Sequence, residues 1–309
     1  MSTTSSSFPV DATARVAAPG DRALVLGGGG AAGNAWLIGV LAGLHDAGLD
    51  VTTADLTVGT SAGATTAAQL GGATPAALVA ATVDAPPAPR PALAGAGRDP
   101  VRAAAEGMAR TQAIIDAASD VADMRRRLGA AALELEAASD GSWPERWRAI
   151  VGRRLPSPDW PDRTVALTTV DARTGEPVVF DRHSGVALVD AVAASCSSGQ
   201  PYAIGDDRYI DGGYRRNENA DLAAGHARVL VLSPLGGRSR HPRAWGSDLA
   251  TQVAELRAGG SDVETVVPGD AAEHLFGANA VDLAQRPVAA RAGHDQGLAL
   301  AERLGAFWG

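Results

Sequence analysis

Ser61 is the first residue in this sequence set up to do chemistry. It lies in Gly59-Thr60-Ser61-Ala62-Gly63, a G-x-S-x-G pattern, directly after the apolar residues Leu56-Thr57-Val58. A nucleophilic serine needs a tight strand-to-helix turn that exposes its hydroxyl, and glycines at Gly59 and Gly63 remove side chains that would collide around such a turn. The helix that follows offers free N–H groups and its positive dipole end to developing negative charge. Such a serine needs a base. Asp211-Gly212-Gly213 offers one at the end of a short strand, although Asp-Gly is also an ordinary turn dipeptide. A third stretch, LVLGGGGAAGNAW at residues 24–36, puts glycines between an apolar run and a helix. Its Gly28-x-Gly30-x-x-Gly33 satisfies the dinucleotide fingerprint, with Asp50 or Asp55 near the distance of a ribose-binding acid. The same exposed N–H groups would equally hold an oxyanion.

The elements around these residues read as an α/β protein. Residues 22–27 and 55–58 form short strands, and each runs through a turn into a helix, the arrangement of a parallel sheet with crossover helices. Trp36, Leu37, Val40, Leu41 and Leu44 recur at helical spacing, with Gly48 placed to end that helix. A Pro-rich stretch from residue 85 opens a helical insertion over 85–160. Its Trp143, Trp147 and Trp160 either pin it to the domain or make it a lid that dips into lipid. Strands are expected at 164–170 and 177–181 around a Thr174-Gly175 turn, at 208–211, at 228–235 and at 263–268. Helices are expected near 186–194, 278–290 and 294–308. Residues 1–20 are expected to be a disordered Ser/Thr-rich tail rather than a secretory signal, leaving 21–309 as one domain.

Composition narrows the partners. The 309 residues hold 27 Lys+Arg, all arginine, against 35 Asp+Glu, a net charge of −8. Nucleic acid is therefore not an expected partner, and strong electrostatic attraction to an anionic membrane is not expected either. A hydrophobic fraction of 46% with 20% charged residues fits a soluble globular chain. Cys196 is the only cysteine, which excludes an intrachain disulfide and suits a cytoplasmic setting. No His/Cys/Asp spacing resembles a metal-ligand set, and without lysine there is no Walker loop. Cys196 reads as a packed small residue, and Arg125-Arg126-Arg127 as a solvated helix face. A histidine that follows the acid (His226, His241, His274 or His294) would be eligible by order for a triad, but none has a context that singles it out.

LVLGGGGAAGNAWLIGVLAGL, GTSAG and ASCSSGQPYAIGDDRYIDGG together resemble the three motif blocks of the patatin-like phospholipases. The resemblance spans residue 22 to about 214 and implies a three-layer fold, a mostly parallel sheet flanked by helices. It implies Ser61 as nucleophile, Asp211 as general base of a Ser–Asp dyad, and Gly28, Gly29 and Gly30 as the oxyanion loop. The activity implied is hydrolysis of lipid or other acyl esters, without cofactor or metal and with transient contact to a membrane surface. One position departs: the family loop reads Gly-Gly-Gly-x-Arg-Gly, and Ala32 stands where the arginine belongs. The other readings are a nucleotide-binding protein using Gly28–Gly33 and a catalytically weak family member that only binds lipid.

Overall fold

The computed structural model describes residues 9–85, 100–276 and 280–309. Its strands are β1 (Gly20–Leu26), β2 (Leu56–Gly59), β3 (Thr164–Asp171), β4 (Pro177–Phe180), β5 (Tyr202–Ile204), β6 (Asp207–Asp211), β7 (His226–Leu232) and β8 (Asp262–Val266). They form one sheet in the order β5-β6-β3-β2-β1-β7-β8, with β4 also paired to β3. The run from β3 through β8 is parallel, while β4 and β6 are antiparallel to β3. The helices are α1 (Thr13–Val16), α2 (Gly30–Asp46), α3 (Ala62–Gln69), α4 (Pro75–Val83), α5 (Pro100–Ala117), α6 (Val121–Ala137), α7 (Trp143–Gly152), α8 (Leu188–Ser195), α9 (Leu249–Ala258) and α10 (Arg286–Trp308).

Both faces of the sheet are covered, which is why its central strands read as unbroken apolar runs. From β1, Leu24 and Leu26 pack with α2, α8 and α10 on one face. The intervening Ala23 and Val25 pack on the other face with Leu249, Val253 and Leu256 of α9. A separate cluster joins Ile115 of α5 and Met124 and Leu128 of α6 to Val170 of β3 and Ile210 of β6, so the inserted helices rest on the sheet end that carries Asp211. Among the described residues no helix is long and apolar enough to cross a membrane.

Helices α2 and α10 cross at backbone contact. A Cβ on Gly39 or Gly43 would strike the carbonyl of Ala290 or His294, and one on Gly293 or Gly297 the carbonyl of Trp36 or Val40. Trp36 Nε1 also donates to Gln296 Oε1 at 3.1 Å.

Several expectations need correction. In place of the two helices expected at 278–290 and 294–308 there is one helix, α10, which begins only at Arg286 and runs unbroken through Gly293, where it packs against α2. Residues 277–279 lie outside the described residues, as do 1–8 of the expected tail and 86–99 of the Pro-rich stretch. Residues 9–19 are not loose tail: α1 packs on β4, and Arg15 pairs with Asp181 at 2.8 Å. The short strand β5 had no signal in the sequence, since Tyr202–Ile204 has only three residues. Within the arginine run, Arg127 pairs with Asp123 on the surface, but Arg125 turns in to donate to the Gly175 carbonyl.

Candidate active site

The three motif stretches meet at the carboxyl edge of the parallel strands, where open α/β sheets form their clefts. β1 and β2 run in register, Leu26 opposite Gly59, so the turns that follow them are neighbours. β6 returns antiparallel to β3 with Asp211 opposite Thr169, which brings the aspartate to the same edge.

The turn at Ser61 is strained. Among the described residues only Ser61 (φ 53°) and Asn219 (φ 54°) are non-glycine residues with positive φ. Such conformations persist only when their surroundings over-determine them. At Ser61 they do. The Thr60 N–H donates to the Leu26 carbonyl at 3.0 Å, the Ser61 N–H to Ser195 Oγ at 2.9 Å, and Cys196 Sγ to the Ser61 carbonyl at 3.2 Å. A Cβ at Gly63 would collide with the Leu26 carbonyl, and one at Gly59 would sit 2.8 Å from the Ala64 Cα. Burial pushes the Cys196 thiol up to about 12, so it acts as an inert donor and not as a nucleophile.

Ser61 Oγ donates to Asp211 Oδ2 at 2.8 Å. The other carboxylate oxygen accepts the Gly213 N–H at 2.8 Å. Asp211 is 8% exposed. Desolvation pushes its pKa up to about 6, opposed only by the hydrogen bonds from Gly213 and Ser61. A carboxylate raised in this way is a far better proton acceptor than an exposed aspartate. No histidine hydrogen-bonds Ser61 or Asp211 among the described residues. His241 lines a cleft with both, but burial and the neighbouring Arg240 and Arg125 drive its pKa down to about 4. His226 is buried against the Ala223 carbonyl, and His294 pairs with Asp46 on the surface.

The glycine loop flanks Ser61. Gly28 and Gly29 line one cleft beside it, and Gly30 lines another, of about 320 Å³. The Gly28 N–H donates to the Asn217 carbonyl at 3.0 Å. It is therefore engaged within the fold. The Gly29 and Gly30 N–H groups have no backbone acceptor among the described residues. Gly30 has φ +64°, and a Cβ there would sit 2.7 Å from the Ala280 carbonyl, so a side chain is excluded twice over. The acids that a ribose would need are occupied: Asp50 caps a turn at Thr52, and Asp55 accepts the N–H groups of Asp21 and Arg22.

Asn219 carried no signal in the sequence. Its fully buried amide Nδ2 lies 3.0 Å from Thr60 Oγ1, 3.2 Å from the Gly212 carbonyl and 2.7 Å from the Arg216 carbonyl. It thus ties the residue before Ser61 to the residue after Asp211. Asn219→Ala is expected to cost about 1–3 kcal/mol of stability and to lower kcat with little change in KM. Asn219→Gly, which tolerates the left-handed backbone, should show the same loss of kcat. If Asn219→Gly keeps full kcat, the residue matters for its backbone and not for its amide.

The three tryptophans of the insertion pin it. Trp147 Nε1 donates to the Ala193 carbonyl at 3.1 Å and Trp160 Nε1 to the Val186 carbonyl at 2.8 Å. Trp143 stacks on Trp147 with centroids 5.9 Å apart.

The solved structures to which the chain is similar include VipD and the SpcU–ExoU complex. VipD from Legionella pneumophila shares 14% identity, with 93% of this chain and 67% of that one covered and a TM-score of 0.42. The SpcU–ExoU complex of the type III secretion system of Pseudomonas aeruginosa gives 18%, 91% and 53%, with a TM-score of 0.32. Comparison with curated protein sequences finds no match. A family profile described as "Patatin-like phospholipase" matches residues 24–224, which takes in the glycine loop, the Ser61 turn and Asp211. On the extent of that match, the chain belongs to the patatin-like phospholipase family.

Proposed function

We propose that the protein is a serine lipid acyl hydrolase of the phospholipase A or esterase type, working through an acyl-enzyme on Ser61 with Asp211 as general base. The observation that carries this reading is the 2.8 Å hydrogen bond from Ser61 Oγ to a desolvated Asp211. As Oγ attacks an ester carbonyl carbon, its proton passes to Asp211 Oδ2 and the carbonyl electron pair moves onto oxygen. The N–H groups of Gly29 and Gly30 hold that oxyanion, each such donor contributing ~3–4 kcal/mol. Collapse breaks the bond to the alcohol, which leaves with the proton from Asp211. Water then repeats the sequence on the acyl-enzyme, giving its proton to Asp211 and releasing the acid.

Residues 21–309 act in this proposal as one catalytic domain with 85–160 inserted. Between α5 and α6 lies a trough of about 250 Å³ lined by Ile114, Leu128, Ala132, Leu135 and Ile210, and it shares Ser198 with the clefts at Ser61. Its apolar walls suit an acyl chain. Val281 and Leu283, 61% and 49% exposed, line the cleft on the other side, an apolar lip for transient contact with a lipid surface. The free thiol of Cys196 keeps a cytoplasmic setting within the proposal.

The test is covalent capture. A fluorophosphonate probe should label the folded protein at Ser61, as mapped by peptide mass spectrometry, and Ser61→Ala should abolish labelling. Undiminished labelling of the alanine variant, or none of the wild type, sinks the assignment.

A further inference from the structure

The cleft of about 320 Å³ beside Ser61 has two arginines in its wall, Arg154 and Arg286, and Asp211 as its only acidic residue among the described residues. Elsewhere in the fold arginines meet carboxylates: Arg15 with Asp181, Arg148 with Asp190, Arg208 with Glu136 and Arg216 with Glu255. These two do not. Among the described residues Arg286 donates only to neutral acceptors, Asn34 Oδ1 at 2.9 Å, the Ala31 carbonyl at 3.4 Å and Thr82 Oγ1 at 3.4 Å. Arg154 lies over the Trp147 ring at 5.3 Å and has no carboxylate partner among the described residues. Burial and the nearby Arg154 together lower the pKa of Arg286. Two like charges thus share the cleft at the reactive serine, neither with an ion-pair partner among the described residues.

A buried relay ties the Arg286 side chain to the backbone of Arg154, whose guanidinium rests on Trp147. Asn34, whose Oδ1 receives Arg286, donates through Nδ2 to Thr66 Oγ1 and Gln69 Oε1, both at 2.9 Å. Gln69 Nε2 in turn donates to the Arg154 carbonyl at 3.0 Å. Asn34, Thr66 and Gln69 are 4%, 0% and 6% exposed. Four segments distant in sequence (α2, α3, the residues after α7, and the start of α10) are thereby joined in one polar chain. Arg286 has five N–H donors in a planar fork, and its bonds to three neutral acceptors leave capacity for an oxyanion.

We propose that Arg154 and Arg286 form an anion subsite that holds the phosphate of a glycerophospholipid while its ester carbonyl lies at Ser61. Arg286 reaches the first turn of α2 at the Ala31 carbonyl, so positive charge enters the site from α10. The polar head then lies between α7 and α10, and the acyl chain runs past Ser198 toward the α5–α6 trough. This assignment rests on the acyl-hydrolase reading above, and its test separates the two.

Binding is measured with uncleavable ether lipids, di-O-hexyl glycerophosphoglycerol against neutral di-O-hexylglycerol, by calorimetry on the full chain. The wild type should bind the phosphate-bearing ligand about 10- to 100-fold more tightly. Arg154→Gln with Arg286→Gln should erase that preference, and Arg286→Lys should restore part of it. Equal affinity of the wild type for the two ligands overturns the subsite. So does a preference that survives the double substitution in a protein that still melts cooperatively. Competition distinguishes the source of the anion. Displacement by hexanoate together with no preference for the phosphate ligand would mean that the arginines hold a released acid, which also overturns the head-group assignment. In a parallel assay the wild type should cleave dihexanoyl phosphatidylglycerol in preference to dihexanoylglycerol. Cleavage of neither, with the binding preference intact, overturns the hydrolase reading and leaves the subsite standing.

Discussion

Asp211→Asn is expected to lower kcat for ester hydrolysis by about a hundred- to ten-thousand-fold and, above pH 6, to raise the melting temperature. Both effects come from the same burial. The carboxylate oxygen that receives the Ser61 hydroxyl becomes part of an amide, which cannot take the proton at attack. Meanwhile the folded wild type holds a carboxyl whose pKa lies near 6 instead of 3.8. Between those values the folded state binds a proton that the unfolded chain has released. Stability therefore falls as pH rises through this window, by about 3 kcal/mol once pH exceeds 6. Asparagine carries no charge to desolvate, so its stability advantage should be full above pH 6 and vanish below about pH 4. Wild-type kcat/KM should show the complementary profile, falling to half near pH 6 as Asp211 becomes protonated. Melting curves and pH–rate profiles of both proteins decide the matter. Retention of more than a tenth of the activity by Asp211→Asn would remove Asp211 as the base. His241→Ala is the control, and a loss equal to that of Asp211→Asn would replace the dyad with a histidine mechanism.

Two glycines of α10 should respond to substitution with opposite signs. At Gly297 a Cβ would collide with the Val40 carbonyl and approach the Leu44 nitrogen at 3.0 Å. These are backbone atoms of a helix that cannot give way without leaving the sheet. Gly297→Val should therefore cost at least about 4 kcal/mol, enough to unfold a domain of ordinary marginal stability. Two turns further on, a Cβ at Gly305 meets nothing within 4 Å. Gly305→Ala should stabilise by about 0.5–1 kcal/mol through helix propensity alone. Thermal melts of the two variants test the helix crossing directly. A Gly297→Val protein that melts within a few degrees of wild type would mean that α2 and α10 can separate without loss.

The residues that the sequence made legible are those whose meaning is local. β1, β2, β3 and β7 are apolar runs bounded by turn residues, and Ser61 and Asp211 carry glycines whose spacing follows from the turns they make. Asn219, Ser195 and Arg286 are different. Each acts on a segment between 134 and 252 residues distant in the chain when it reaches Thr60, Ser61 or Asn34. No period or spacing encodes such a bond, because the partners become neighbours only when the sheet order is set. The gap expected between helices at 278–290 and 294–308 has the same origin: α10 runs through it laid against α2, a neighbour that only the fold supplies. Gly28 followed the glycine pattern and yet gives its N–H to Asn217, a partner invisible before folding.

The seam between α2 and α10 also has a consequence in time. A ribosome emits the glycine loop, Ser61 and Asp211 well before Gly293 and Gly297, and domains settle as their parts emerge. In the finished fold α2 is buried from Ala32 to Leu44, and α10 supplies much of that cover. Until α10 has emerged, the apolar side of α2 lacks that cover, although the pairing of β1 with β2 already brings the glycine loop beside the Ser61 turn. A chain that has not yet made α10 thus carries Ser61 and Asp211 but leaves α2 uncovered. Under the proposed function, the groups that would attack an ester are made before the helix that covers α2, and α2 gains that cover only when α10 docks.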